Sequence, residues 1–302
     1  MQAGMGYMEN NRPGRGDVRS WYPEAKSALL LGFSYAQPEE NVQTARPGTG
    51  VLARYSVLPD YHDELKKRLN EILDWVKERN PGTEGKIFVD SSPLLERLFA
   101  RYAGLGWIGK NTMVISPKLG SYFFIAGIAL NTELTSEKSE VDHCGSCRKC
   151  IEACPTDAFP QERVLDASKC VAYYTIEHRG AIPEGIRPGI GDHVLGCDVC
   201  QEVCPWNRFS RPSRVFQAVE DRRLPLEDLA ALDGPAFRKR FGATPVERTR
   251  RRGLVRNALL AMGNSGDSRH LKTLEARSSD PDPILAEQAS WSLSRLGREV
   301  TV

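Results

Sequence analysis

The sequence lacks a long apolar run and a strong excess of charge of either sign. Its longest apolar stretch, around YFFIAGIAL, is far shorter than the ~20 residues that cross a bilayer as a helix. The stretch MQAGMGYMENNRPGRGD has no apolar segment of a secretory signal, and the net charge is only +2. We therefore expect a soluble monomer in the reducing cytoplasm, with no membrane partner.

Cysteine is absent outside one segment, since all eight cysteines lie between Cys144 and Cys204. Four of them, in CGSCRKCIEACP, have the C-x2-C-x2-C-x3-C-P spacing of bacterial ferredoxins, in which the fourth thiolate binds a neighbouring cluster. The second set is a single cysteine followed by CDVCQEVCP. The spacing predicts two 4Fe-4S clusters with exchanged ligands: Cys144, Cys147, Cys150 and Cys204 for the first, and Cys154, Cys170, Cys197 and Cys200 for the second.

Two structural zinc sites are the alternative, because C-x2-C pairs also suit tetrahedral zinc. Zinc motifs usually separate two such pairs by a dozen or more residues. Here three cysteines follow one another at three-residue steps. The spacing therefore favours clusters over zinc.

Strand and helix patterns alternate before the cysteines. SALLLGFSYA, KIFVD, TMVISP and SYFFIAGIAL are typical of strands, and Leu65–Val76 has helical spacing of apolar residues. These elements predict an α+β layer architecture. Asp90 stands at the carboxyl end of KIFVD, and Ser92 is expected to cap a helix that has Pro93 at its first position and ends at Gly104.

The sequence after the cysteines is helical in pattern and rich in arginine. LVRNALLAMGNSGD and LAEQASWSLSRLGR resemble each other, which predicts a short HEAT-type repeat, although ordinary helix amphipathicity explains the match nearly as well. A cationic run in this part, here named the arginine strip, predicts binding to nucleic-acid phosphates, with a solvated helix face as the alternative. The arginine strip comprises Arg238, Lys239, Arg240, Arg248, Arg250, Arg251, Arg252 and Arg256.

Five long stretches carry a resemblance to a known family: ARYSVLPDYH, VDSSPLLER, GLGWIGKNTMVISPKLGSYFF, the cysteine motifs, and YYTIEHRGAIPEGIRP with GCDVCQEVCPWN. Together with MGYMENN they resemble the epoxyqueuosine reductases. The resemblance implies a cobalamin enzyme that reduces epoxyqueuosine to queuosine at the wobble position of tRNA, the last step of queuosine biosynthesis. Electrons would reach the cobalamin through the two clusters, from an external low-potential donor such as a flavodoxin or ferredoxin.

The resemblance also implies roles for individual residues. Asp90, in the VD-x-x-P motif, is the expected proton donor, and burial beneath a corrin with no cation close by is expected to raise its pKa. The expected cobalamin contacts are Arg54, Tyr55, Asp90, Lys110, Asn111, Thr112, Ser121, Tyr122 and Tyr173. The expected tRNA contacts are Thr175, Glu177, His178, Arg250, Arg251 and Arg252.

Three regions are therefore expected. Residues 1–140 would form an α/β-type cobalamin-binding catalytic domain, 141–212 a bacterial-ferredoxin-like domain with two clusters, and 213–302 a helical HEAT-like region that binds tRNA. Members of the resembled family carry several dozen further residues before MGYM. We therefore expect the first domain to be short at its N-terminus and the native chain to begin upstream.

Two other functions compete with this interpretation. Reductive dehalogenases also combine cobalamin with two clusters, but they usually carry a twin-arginine export signal, which is absent from this sequence. The arginine-rich helical part also suits tRNA better than a small organohalide. A non-catalytic electron carrier or tRNA-binding module is the third possibility, and corrin binding would separate it from the enzymes.

Overall fold

The computed structural model describes residues 1–9, 14–38, 46–135 and 138–299. The two asparagines of the MGYMENN motif lie outside these residues. The strands are β1 (Ser27–Ser34), β2 (Thr49–Leu52), β3 (Gly85–Val89), β4 (Trp107–Ile108), β5 (Val114–Ile115), β6 (Phe123–Leu130), β7 (His193–Leu195) and β8 (Arg223–Pro225). The helices are α1 (Tyr61–Arg79), α2 (Glu96–Tyr102), α3 (Lys149–Glu152), α4 (Arg187–Ile190), α5 (Val199–Glu202), α6 (Leu226–Ala231), α7 (Gly234–Phe241), α8 (Arg250–Ser265), α9 (Leu271–Arg277) and α10 (Pro283–Glu299).

The first sheet has the order β1-β6-β3, with β6 in the centre. Strands β1 and β3 both run antiparallel to β6. Helix α1 packs on this sheet through Leu65, Leu69 and Leu73, which join the strand residues Val89 and Ile128 in one apolar core. The predicted strands and helix of this part are confirmed. The antiparallel pairing confirms α+β and corrects the α/β-type description of the first region, since that form requires parallel neighbours.

A second sheet, of order β7-β2-β8, connects distant parts of the chain. Strand β2 runs parallel to β7, which lies among the cysteines, and antiparallel to β8, which follows them. Leu52, Val194 and Leu224, one from each strand, lie in a core shared with the C-terminal helices. The sequence analysis did not identify this sheet, because strands of three or four residues carry too little periodicity.

Helices α8, α9 and α10 follow one another and form the end of the described chain. Along α8 the residues from Leu254 to Gly263 are all buried, and Ala258 and Ala289 are fully buried where α8 and α10 meet. A Cβ at Gly263 would lie 2.8 Å from Cα of Ser292, so the two helices approach closely there. The predicted helical character is confirmed, while its assignment to HEAT repeats stays a prediction.

The turn after β3 differs from the expected form. Helix α2 begins at Glu96, and its preceding residue Leu95 makes no capping hydrogen bond through its side chain. Ser92 instead lies in a tight turn, where its carbonyl accepts from the backbone N–H of Leu94 at 2.8 Å. The expected helix start at Ser92 is therefore wrong, because this stretch forms the loop that carries Asp90. None of the helices described is long and apolar enough to span a membrane.

Candidate active site and cluster-binding cysteines

The first cysteine group consists of Cys144, Cys147, Cys150 and Cys204. The four thiols line a common cavity of about 240 Å³, although Cys204 lies far along the chain from the other three. Burial, and then the neighbouring thiols of Cys204, Cys144 and Cys147, raise the pKa of Cys150 to about 11. Metal binding at such a group releases protons, because the thiolate is the ligand. Trp107 donates its indole N–H to Sγ of Cys144 at 3.4 Å and so covers one edge.

The second cysteine group consists of Cys154, Cys170, Cys197 and Cys200, and it is more deeply buried than the first. Burial raises the pKa of Cys197 to about 12, and the neighbouring thiols of Cys170 and Cys154 contribute to the shift. Burial also raises the pKa of Cys200 well above its ordinary value, again with Cys197 and Cys170 as neighbours. Cys154 therefore lies with the second group, despite its place in the first motif. The fold brings the thiols together in the two sets that the spacing predicts.

A single metal ion needs its ligands grouped closely around it. Thiolates around one zinc ion, each about 2.3 Å from the metal, lie within ~4 Å of one another. In the part of the chain that the structure describes, no three His, Cys, Asp or Glu side chains are grouped so as to hold one metal ion. A 4Fe-4S cluster instead takes four cysteine thiolates, and four thiols line the first cavity.

Asp90 follows the last residue of β3 and faces the start of α1. Its Oδ2 accepts from the hydroxyl of Tyr61 at 2.9 Å and lies 3.5 Å from Nε2 of His62. The backbone of Asp90 has φ +48°, a conformation that non-glycine residues seldom adopt and that occurs at functional sites. The loop thus presents this carboxylate to its neighbours at a cost in backbone strain.

The charge state of Asp90 differs from the expectation. Its pKa is lowered, chiefly by the bond to His62 and with further contributions from Tyr61 and Arg248, and these outweigh the opposing effect of burial. Its side chain is 64% exposed. The expectation of a raised pKa without a nearby cation is therefore wrong. Burial and the Asp90 carboxylate instead raise the pKa of Glu96 to about 8.

The expected cobalamin residues divide into two places. Arg54 and Tyr122 line a cavity of about 810 Å³, and the guanidinium of Arg54 lies 4.9 Å from the centroid of the Tyr122 ring. Lys110 and Asn111 are buried beside the first cysteine group, where Lys110 pairs with Glu162 at 2.9 Å. Other expected contacts lie elsewhere. Tyr55 neighbours Asp90 and Asp198, and Ser121 both donates hydrogen bonds to Asn207 and accepts one from it. The carbonyl of Thr112 accepts a hydrogen bond from Arg97.

The segment Tyr173–Glu177 forms a π-helical turn shortly after the second group's Cys170. Tyr173 accepts from the backbone N–H of Gly4 at 3.1 Å, and Glu177 forms an ion pair with Arg248 at 3.0 Å. Thr175 is fully buried, and its hydroxyl bonds to backbone groups within the protein. Its position corrects the expectation of a tRNA contact at Thr175, because the side chain has no surface to offer.

The arginine strip is not one continuous surface. Arg256 is 1% exposed and donates to the carbonyls of Tyr174, His178 and Gly180. Burial, and then the neighbouring guanidinium groups, lower its pKa to about 10. Arg240 is paired with Glu220 at 2.6 Å. The strip is therefore not uniform, since Arg256 lies inside the protein while most of its other members are exposed. This corrects its interpretation as one phosphate-binding surface.

Part of the arginine strip lines a separate cavity of about 380 Å³. Arg250 and Arg252 approach it from α8, and Arg179 and His178 from the segment after the π-helical turn. Arg252 also lies 3.7 Å from Asp282, and His178 bonds to the carbonyl of Ala181. Arg250–Arg252 and His178 are thus only partly free for a ligand, with Arg251 bonded to the carbonyl of Leu232.

The sequence analysis missed three residues of the Asp90 site. Tyr61 and His62 stand at the end of the stretch ARYSVLPDYH, where a helix begins. The signal that could have identified them is this position at a helix start, which the fold places beside the end of a strand. Glu96 had no such signal, because its proximity to Asp90 arises from the turn after β3. Arg179 was likewise missed, since it stands apart from the arginine strip in the sequence.

Family models match both parts of this arrangement. Residues 15–91 match the model described as Epoxyqueuosine reductase QueG, DUF1730, and residues 143–207 match the 4Fe-4S double cluster binding domain. The chain therefore contains a domain that binds two 4Fe-4S clusters. This match confirms the prediction of clusters from the cysteine spacing.

Whole-chain relatives agree with the family models. Epoxyqueuosine reductases of Cellulophaga algicola and Pseudomonas aeruginosa are 39% and 38% identical over 260 and 300 residues, which cover 85% and 97% of this chain and 84% and 83% of theirs. A solved epoxyqueuosine reductase with an epoxyqueuosine-modified tRNA-Tyr stem loop is 30% identical, with TM-score 0.84 over 97% of this chain and 79% of that one. The Bacillus subtilis enzyme, with its catalytic loop swung out of the active site, is 29% identical, with TM-score 0.86 over 96% and 79%. The chain belongs to the epoxyqueuosine reductase family.

Proposed function

We propose that the protein reduces epoxyqueuosine to queuosine in tRNA, with cobalamin and two 4Fe-4S clusters as its cofactors. One observation carries this proposal: the strand-end acid lies near the segment that follows the cysteine Cys170. Asp90 and Glu177, which follows Cys170 closely in the chain, both act on the ionisation of Tyr55 and Arg248. A group that can deliver a proton thus lies close to a segment anchored beside a cluster ligand.

The residues around the large cavity fit a cobalamin. At about 810 Å³ the cavity is of the size that holds cofactors. Nε of Arg54 and Nη1 of Arg222 are buried there without a hydrogen-bond partner among the described residues. Such donors suit the amide and phosphate oxygens of a cobalamin, and when bound this group supplies a strongly reducing cobalt centre. Arg54 lines this cavity, and the next residue in the chain, Tyr55, neighbours Asp90.

The two cysteine groups would carry electrons to this cavity. The first group lines a cavity that also reaches Trp206 and Arg208, and Cys204 lies between that cavity and the large one. The second group lies deeper. A low-potential donor, such as a flavodoxin or ferredoxin, would supply electrons one at a time, and two are needed because reductive removal of an epoxide oxygen as water consumes two electrons and two protons.

The protein's own residues would bind the substrate and manage its protons. The cavity lined by Arg179, Arg250 and Arg252 carries more positive than negative charge and lies beside the π-helical turn. It would hold backbone phosphates of the tRNA next to the modified nucleoside. Asp90 would then deliver a proton to the epoxide oxygen as its carbon–oxygen bond breaks. The arginine cavity favours tRNA over a small organohalide as substrate.

The test uses anaerobically prepared protein with both cofactors. We expect about eight iron atoms per chain, bound corrin, and conversion of epoxyqueuosine tRNA in a single turnover after reduction. Asp90→Asn should retain iron and corrin but lose ~10²–10⁴-fold in rate, because the amide cannot deliver an acid proton. Asp63→Asn, at an exposed position of α1, is the matched control and should convert normally. Zinc in place of iron, or normal conversion by Asp90→Asn, would contradict the proposal.

A further inference from the structure

His62 lies between two carboxylates at the first turn of α1. Its Nδ1 is 2.8 Å from Oδ1 of Asp60, and its Nε2 is 3.5 Å from Oδ2 of Asp90. An ionised carboxylate only accepts hydrogen bonds, and a neutral imidazole has one N–H to donate. The Nδ1 contact has hydrogen-bond length and the Nε2 contact has ion-pair length, so carboxylate oxygens facing both ring nitrogens favour the doubly protonated ring. The geometry therefore selects the imidazolium form of His62.

The ring is also fixed in place. It stacks on Tyr61 with a centroid distance of 4.3 Å, and Tyr61 stacks on Phe124 of β6 at 4.0 Å. Asp60 caps α1 by accepting from the backbone N–H of His62, so the carboxylate on Nδ1 is held by the helix start itself. A fixed ring keeps Nε2 directed at Asp90 rather than at solvent.

The titration of the pair agrees with this geometry. The bond to Asp90 raises the pKa of His62 above its ordinary value, and the same bond lowers the pKa of Asp90. The shifts therefore favour the imidazole over the Asp90 carboxylate as the site of the shared proton. A reaction that takes a proton from Asp90 needs one supplied to it first.

We propose that His62 is the positioning residue that holds this proton and passes it to Asp90. The inference rests on the proposed function. The Nε2–H bond of His62 breaks and a hydroxyl forms at Oδ2 of Asp90, which leaves a neutral imidazole and a carboxylic acid. The acid then protonates the epoxide oxygen as its first carbon–oxygen bond breaks. Two electrons from the external donor and a second proton, from solvent, complete the reaction: the second carbon–oxygen bond breaks, the oxygen leaves as water and a carbon–carbon double bond forms. His62, which is 28% exposed, regains a proton from water.

Other titratable groups face the pair and must be separated from it. Asp60 and Tyr61 come from the start of α1, Tyr55 from the 3-10 turn at Arg54–Val57, and Glu96 from α2. Tyr7 comes from the N-terminal segment, Glu177 from the π-helical turn and Arg248 from the arginine strip. Burial raises the pKa values of Tyr61 and Tyr55, which keeps both phenols neutral. Glu96 is the competitor, because burial, and then the Asp90 carboxylate, raise its pKa to about 8. Its Oε1 is buried without a hydrogen-bond partner among the described residues.

The first measurement is independent of turnover. In the holoenzyme without tRNA, nitrogen-15 histidine spectra report the charge of each ring, and the signal of His62 is the one lost in His62→Gln. We expect His62 to be doubly protonated at neutral pH and to lose its proton at lower pH in Asp90→Asn and in Asp60→Asn. Asn still caps the helix, so Asp60→Asn preserves the fold. A neutral His62 ring at neutral pH would overturn the proposal.

The second measurement is the single-turnover rate between about pH 5 and 9. The wild-type rate should fall about tenfold per pH unit above the pKa of His62. In Asp60→Asn this fall should begin at lower pH. In His62→Gln the fall should extend across the whole pH range, because Asp90 must then take its proton directly from solvent and its acid form becomes scarcer at each higher pH. The rate at neutral pH should drop by ~10² or more, with corrin and iron content unchanged.

Glu96→Gln tests whether Glu96 is the proton donor instead of His62. In this variant the single-turnover rate should fall with pH as it does in the wild type. If Glu96→Gln changes the pH profile and His62→Gln keeps the wild-type profile, the proton comes from Glu96 and the proposal is wrong. If wild type converts no epoxyqueuosine tRNA, the proposed function fails, while the histidine spectra still decide whether His62 carries the proton.

Discussion

The cysteine region and the arginine strip are both dense in side chains of one chemistry, but the fold treats them in opposite ways. The cysteines gather into two groups of four thiols, with Cys154 exchanged between motifs. The arginine strip disperses: Arg256 is buried, Arg240 is paired, and Arg250 lines a cavity. Ligand spacing encodes a geometry because a cluster accepts only thiolates at set positions. A high density of arginines does not encode a geometry, because a guanidinium can donate equally well to a carbonyl, a carboxylate or a phosphate.

The largest expected effect tests the exchange of Cys154. Cys154→Ala should remove the second cluster and leave the first, so that iron falls from about eight to about four atoms per chain. Iron analysis and EPR spectra of the reduced protein measure this. Ser146→Ala, which changes the same motif without removing a thiol, should keep all the iron. Loss of the cluster held by Cys144, Cys147 and Cys150 instead would show that the ligands are not exchanged.

A smaller effect is expected from the buried member of the strip. Arg256→Met leaves the carbonyls of Tyr174, His178 and Gly180 without their donor, and should lower the free energy of unfolding by ~3–5 kcal/mol. Arg250→Met, at an exposed position, should change it by less than ~0.5 kcal/mol. Thermal unfolding of both variants with clusters in place makes the comparison. Equal stability of the two variants would mean that Arg256 acts like a surface residue.

The smallest effect concerns the exposed members. Arg250→Ala should lower the slope of log affinity for tRNA against log salt by about 0.7–0.9, the value for one lost phosphate contact. Arg240→Ala should leave the slope unchanged, because its guanidinium is paired with Glu220. Filter binding at several salt concentrations gives both slopes. A lower slope for Arg240→Ala would restore the strip as a continuous phosphate-binding surface.

The sequence predicts elements whose signal is local. The strands around Asp90 and the helix at Leu65, Leu69 and Leu73 have clear periodicity, and the cysteine spacing contains the grouping of the thiols. The charge state of Asp90 could not be predicted in this way. It depends on His62 and Arg248, which the fold brings from other parts of the chain. The same reason explains why the burial of Thr175 and the role of Arg256 emerged only from the structure.

The turn after β3 shows a second limit. Ser92 and Pro93 form a sound start signal for a helix, but the helix begins at Glu96. The intervening residues form the loop that holds Asp90 at positive φ, and this loop brings Glu96 close enough for the Asp90 carboxylate to raise its pKa. Local preference was thus overridden where the chain carries a reactive group, which is where such conflicts are expected.

Strand β2 links the three regions 1–140, 141–212 and 213–302, so that we do not expect them to fold when expressed separately. It bonds on one edge to β7 and on the other to β8, and Leu52 shares a core with Val194 and Leu224. A fragment limited to residues 141–212 would expose an unpaired strand edge and an apolar face, both of which promote aggregation. The electron-transfer part is therefore not a cassette that can be exchanged between enzymes, and redesign of its potential has to proceed by substitution in place.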